Sequence, residues 1–141
     1  MHRIVLTSCF FFFVVSQALA GHLYIPDVRS PERKQIMDAA RVPIMKALAG
    51  QKIVFVVRKL KVKGEWAYLE AVPRLRNGGK VNYNITKFRD AVKEGLFDEW
   101  VGVLLKRNFG SWVVKTHIIG ATDYPVVAWP KKFGASAEIF Q

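Results

Sequence analysis

Cysteine is almost missing from this chain: Cys9 is the only one among 141 residues, and it lies within the apolar first twenty. Thiolate metal centres, cysteine nucleophiles and Cys-x-x-Cys redox chemistry therefore have no residues to work with after position 20. Disulfides are excluded there too, so residues 21–141 must hold together by an apolar core. Histidine is nearly as scarce, with only His22 and His117 beyond the first twenty. The sequence has no Gly-x-Ser-x-Gly elbow, no His-Glu-x-x-His pair and no phosphate-cradling glycine loop. No metal site and no cofactor are implied. Acidic residues number 11 against 22 Lys and Arg, a formal charge of +11. Such an excess does not specify a fold, but it biases partners toward anions and keeps a protein soluble.

One apolar run stands out at the start, MHRIVLTSCFFFFVVSQALA. His2 and Arg3 make a short basic beginning, Ile4 to Val15 is almost wholly apolar, and Ala18-Leu19-Ala20 matches a signal-peptidase site. The run is shorter than the roughly 20 residues that span a bilayer. Leu6 to Cys9 looks like a lipoprotein box, but too little apolar sequence precedes the cysteine and Phe10 to Val15 follow it. The expectation is a signal peptide over 1–20, cleaved after Ala20, then one α+β domain over 21–141. The product is then expected to be periplasmic or secreted, with no transmembrane segment after cleavage; the competing reading, an uncleaved membrane anchor, is disfavoured by the Ala-x-Ala site. About 120 residues suffice for one core.

Residues 21–29 read as an extended lead-in. A helix follows from Ser30, which caps it, with Pro31 at the first position and Glu32 at the positive end of the dipole. Ile36, Ala40, Ile44, Ala47 and Leu48 share one face. Pro43 predicts a kink or break near Arg41-Val42, and Gly50 a stop. Ile53 to Val57 suits a strand buried on both faces. Leu60 and Val62 then alternate with lysines up to a Lys63-Gly64 turn. A two-residue loop there pairs Lys61 with Trp66, a three-residue loop with Glu65. A short helix is expected from Thr86 to Glu94, closed by Gly95. Asn84-Ile85-Thr86 matches a glycosylation sequon, relevant only in a eukaryotic secretory pathway. A second hairpin turns at Asn108-Phe109-Gly110; a three-residue loop pairs Lys106 with Trp112 and Val101 with His117.

The expected architecture is an N-terminal helix packed on a four-stranded antiparallel sheet of two hairpins, with a short crossing helix and a C-terminal strap. This order resembles the cystatin-like and nuclear-transport-factor-like α+β fold over roughly residues 30–120. VFVVRKLKVKGEWAYLEAVP together with GATDYPVVAWPKKFG is similar to a group of small exported bacterial proteins of unknown function. That likeness implies a bacterial origin and no particular activity.

Two candidate sites follow. Arg58, Lys59, Lys61 and Lys63 approach the first hairpin tip, and Lys106 and Arg107 the second, with Trp66, Phe109 and Trp112 nearby. If the middle strands pair antiparallel, both tips share one end and form a cation–aromatic platform for an anion. Lysines on exposed edges also discourage pairing between molecules. The second site would use His117 and Asp123 as an acid–base pair, with Tyr124 orienting a substrate. The pair has no third polar partner to orient it. His117 therefore reads first as a half-buried strand residue, and Asp123 as a turn residue. Tyr124, Pro125, Trp129, Pro130, Phe133, Ile139 and Phe140 make the tail a strap over one sheet edge. The functional reading is a non-enzymatic binding or interaction module of the bacterial envelope that recognises an anionic surface or an acidic protein. The alternatives are a small pocket enzyme using His117 and Asp123, or an inhibitor or immunity protein. No nucleic-acid motif is present.

Overall fold

The computed structural model describes residues 21–141; the first twenty, with Cys9 and the expected cleavage site, lie outside the described residues. Helix α1 spans Pro31–Ala47, and the Ser30 hydroxyl accepts from the Arg33 backbone N–H at 3.1 Å. Ile36, Ala40, Ile44 and Leu48 lie fully buried along one stripe, while Ala47 at its margin is half-buried. The helix runs unbroken through Pro43, so of the expected kink or break the break does not occur. An interior proline costs about 3 kcal/mol. Ile44 and Leu48 beyond it each contribute about 1.5–3 kcal/mol by leaving water, so packing outweighs the lost hydrogen bond.

Five strands form the sheet rather than four: β1 (Leu23–Tyr24), β2 (Ile53–Lys63), β3 (Trp66–Leu75), β4 (Val101–Asn108) and β5 (Ser111–Ile119). They lie in sequence order, each antiparallel to the next. The extra strand comes from the lead-in, where Leu23 pairs with Lys63 and Tyr24 with Val62. Two residues are too few for an alternation to be read.

Both hairpins turn through two residues: the first one position later than the expected two-residue Lys63-Gly64 loop, the second with one residue fewer than expected. In the first, Lys63 pairs with Trp66 around Gly64-Glu65, so Lys61 faces Tyr68 and neither expected register forms. Gly64 at φ 58° supplies the left-handed first turn residue. In the second, Asn108 pairs with Ser111, and Phe109 and Gly110 both turn left-handed at φ 49° and 79°. Two left-handed residues suit the right-handed twist of the flanking strands. Arg107 therefore opposes Trp112, and Val103 opposes His117, in place of the expected Lys106–Trp112 and Val101–His117 pairs.

A bulge in β2 leaves Arg58 outside the ladder, between the Val57–Ala71 and Lys59–Glu70 pairs. A second bulge in β5 does the same to Lys115. Val54 and Val56 are 37% and 54% exposed, so the start of β2 is wet on one side rather than buried on both.

On one face of the sheet, Leu60, Val62, Leu69, Val103, Leu105 and Trp112 pack under α1. The crossing segment adds a 3-10 turn (Tyr83–Ile85) and α2 (Arg89–Lys93), shorter than the expected Thr86–Glu94 helix. On the opposite face, Tyr68 and Leu104 from the central strands pack against Trp100, Val126, Trp129, Ile139 and Phe140. The tail is thus a strap, but over a face and not an edge. It folds as a 3-10 turn (Pro125–Ala128), α3 (Trp129–Phe133) and a second 3-10 turn (Ala137–Phe140), consistent with the breaks set by its prolines.

Two glycines give a graded test of this backbone. Gly110 has a left-handed φ with open space around it, so Gly110→Ala should lower stability by about 1 kcal/mol through strain alone. At Gly120, φ is 76° and an added Cβ would stand 2.0 Å from the Phe97 ring. Gly120→Ala should cost about 1–3 kcal/mol more than that in denaturant unfolding, because a packed ring must also move. Equal losses would contradict the placement of Phe97.

Candidate functional site

The two hairpin tips lie side by side. Trp66 pairs with Lys106, and the Arg107 N–H donates to the Glu65 carbonyl at 2.7 Å. The expected gathering of basic strand ends is therefore present, but its members have different employment. Lys59 Nζ donates to the Phe140 carbonyl at 2.8 Å, Lys61 Nζ to the backbone oxygen of Gln141, and Lys63 Nζ to the Glu138 carboxylate at 2.9 Å. The β2 bulge turns all three toward the strap face, where they face Glu70, Tyr68 and Trp66 across the ladder. They bind the strap.

Arg107 is also engaged. Its guanidinium lies 4.7 Å from the Trp112 ring centroid and donates to Glu32 of α1 at 2.6 Å. Tyr24 donates to the same carboxylate at 2.7 Å. Burial, followed by the hydrogen bond to Glu32, raises the Tyr24 pKa. Trp112 is buried beneath the helix and offers no surface. Arg58 stands at the other side of the strap face, in a cleft of about 350 Å³ with Glu70, Asp98, Glu99, Asp123 and Tyr124.

Lys106 remains at the hairpin end, its ammonium 5.2 Å from the Trp66 ring centroid. Lys115 joins it through the second bulge. The two line a cleft of about 400 Å³ with Glu65, Asn108, Phe109 and Val113. Neither lysine forms an ion pair with another described residue. Lys115 was not among the expected site residues. Only the bulge, which sequence alternation hides, brings it to this cleft. Beside it, Trp66, Tyr24, Lys63 and Arg107 line a larger groove of about 940 Å³ that reaches Gly134–Ser136. Both cations of that groove are already paired, with Glu138 and Glu32.

His117 and Asp123 are not brought together. His117 pairs with Val103, whose side chain is in the helix-side core. It lines a cleft of about 620 Å³ with Pro43, Lys46, Ile85, Thr86 and Lys87. Asp123 and Tyr124 belong to the opposite face. There Tyr68 and Tyr124 each donate to the Glu70 carboxylate at 3.1 Å, their hydroxyls lie 3.2 Å apart, and Tyr124 stacks on Trp100. Burial above all, then the bond to Tyr124, pushes the Tyr68 pKa far up, so Tyr68 stays a neutral donor. This cluster satisfies a buried phenol, and it gives Tyr124 a packing role. Among the described residues no group of three or more His, Cys, Asp or Glu is placed to hold a metal, and no helix is long and apolar enough to cross a membrane.

Burial lowers the His117 pKa, with the Lys87 charge adding to the effect. The unfolded chain therefore takes up this proton first. The stabilisation is complete above the ordinary histidine value of 6.5 and is lost as pH falls through the lower folded value. His117→Gln should remove that part of the acid-side loss, giving a flatter stability profile below pH ~6.5. An unchanged profile would show that His117 is not held neutral by burial.

Compared with known proteins, the chain matches no protein-family model, no curated protein and no solved structure, so its chemistry rests on the geometry described above.

Proposed function

We propose that this chain is a non-enzymatic binding module of the bacterial cell envelope, periplasmic or secreted, that engages an anionic surface with its hairpin end. The observation that carries the reading is the junction of the two tips, which sets Lys106 and Lys115 beside Trp66 and Phe109 with no carboxylate among the described residues paired to them. The signal-like first twenty residues and the charge of +11 support the compartment and the sign of the partner. The element order β1-α1-β2-β3-β4-β5 supports the cystatin-like reading of the fold, and fold likeness brings no chemistry with it.

Binding of this kind is long-ranged and salt-sensitive, because the Debye length is about 8 Å at physiological ionic strength. Each surface cation near an anionic membrane contributes about 1 kcal/mol. The whole molecule's positive field then steers, and the hairpin end makes contact.

The lysines should separate into two classes in co-sedimentation with lipopolysaccharide, acidic polysaccharide and anionic vesicles. Lys106→Gln with Lys115→Gln should weaken binding several-fold at low salt and leave stability within about 0.5 kcal/mol. Lys59→Gln, Lys61→Gln and Lys63→Gln together should cost about 1–2 kcal/mol of stability by loosening the strap, and should weaken binding less. Salt-insensitive binding, or equal binding by the Lys106/Lys115 variant, would leave the charge as a solubility device.

A further inference from the structure

Phe109 occupies the first central position of a two-residue hairpin turn, where the backbone is left-handed at φ 49°. Asparagine and glycine suit that position; a bulky side chain there is strained. Its ring is also fully exposed, at 102% of reference accessibility. Among the described residues nothing rewards it, since the ring packs on neither core cluster. A strained backbone that presents an unpacked aromatic ring to solvent points to a partner outside the molecule.

The surroundings indicate which partner. Trp66, Lys106 and Val113 form one row across β3, β4 and β5, directly behind the tip. Val113 is 43% exposed, and Lys115 stands beside it in the same cleft. Among the described residues Glu65 is the one acid lining that cleft, and Arg107, also lining it, is neutralised by Glu32. The outermost point is thus apolar, and the cations sit one layer back. A bilayer interface has the complementary order: anionic headgroups outside and hydrocarbon beneath. Lysine stems are long enough to keep their ammonium groups among phosphates while a ring at the tip passes below. A phenylalanine ring, with no polar tip, gains by leaving water at the headgroup–acyl boundary.

We infer that the Phe109–Gly110 tip is an insertion wedge for an anionic lipid bilayer, with Lys106 and Lys115 as its headgroup contacts. The inference rests on the anionic-surface reading above and adds the lipid interface to it. One ring and two cations give weak, reversible binding and no permanent anchor.

The test uses the protein as exported by its expression host, phosphatidylglycerol–phosphatidylcholine vesicles, and dextran sulfate as a soluble polyanion without hydrocarbon. Phe109→Asn should reduce vesicle partitioning about tenfold, the loss expected when a ring no longer leaves water. Its binding to dextran sulfate should match wild type. Thermal stability should be equal or higher, because asparagine fits the left-handed turn. Phe109→Leu, which keeps an apolar tip, should retain most of the partitioning. Undiminished vesicle binding by Phe109→Asn overturns the wedge, as does wild-type binding to dextran sulfate without binding to vesicles; in both cases the anionic-surface reading stands. Wild type binding neither probe in a salt-sensitive way overturns both.

Discussion

The central strands β3 and β4 are apolar on both sides, and a sheet built on them needs two covers. Leu69, Val103 and Leu105 face α1, while Tyr68 and Leu104 face the other way. Tyr68 is wholly buried, and its hydroxyl is satisfied by Glu70 and by Tyr124 at the entrance of the strap. The helix covers the first face by a stripe of four buried side chains. The strap covers the second with Trp129, Ile139 and Phe140, in three short turns rather than one helix. A cover so irregular has few backbone hydrogen bonds of its own; Lys59 and Lys61 donate to its last backbone oxygens, and Lys63 pairs with its Glu138 carboxylate.

That demand decides which cations are available for anything else. A row of lysines at every second position reads equally as a wet strand face, an edge guard or an anion site. The strap takes the β2 lysines, and Glu32 takes Arg107. Lys106 and Lys115 are left at the hairpin end with Phe109, which makes that end the proposed contact point of the molecule's positive field.

Much of this was legible in the sequence where one element decides its own structure. Ser30, Pro31 and the Ile36–Ile44 spacing announce α1 without help from tertiary structure. Gly110 announces a left-handed turn, and Pro125 and Pro130 announce a broken tail. What was not legible depends on two elements at once. The bulges at Arg58 and Lys115 shift register by one residue, and alternation patterns do not reveal an unpaired residue inside a strand. Turn placement and length depend on twist matching as well as on glycine: the first turn sits one residue later and the second is one residue shorter, so both registers moved. Pro43 is a helix breaker locally and a helix residue once Ile44 and Leu48 are packed. For the candidate sites, the shared end of the two tips followed from antiparallel pairing. The employment of Lys59, Lys61 and Lys63 required knowing that the strap lies on their face. His117 and Asp123 are close in sequence, yet the chain crosses from one side of the sheet to the other between them.

The central claim is a division of labour: the β2 lysines hold the strap, and the hairpin end is the proposed anion contact. Amide hydrogen exchange followed by mass spectrometry, with and without phosphatidylglycerol vesicles, tests it most directly. The account predicts slowed exchange over residues 106–115 and unchanged exchange over the strap, residues 125–140. Slowed or accelerated exchange across the strap, with the hairpin end unaffected, would contradict it.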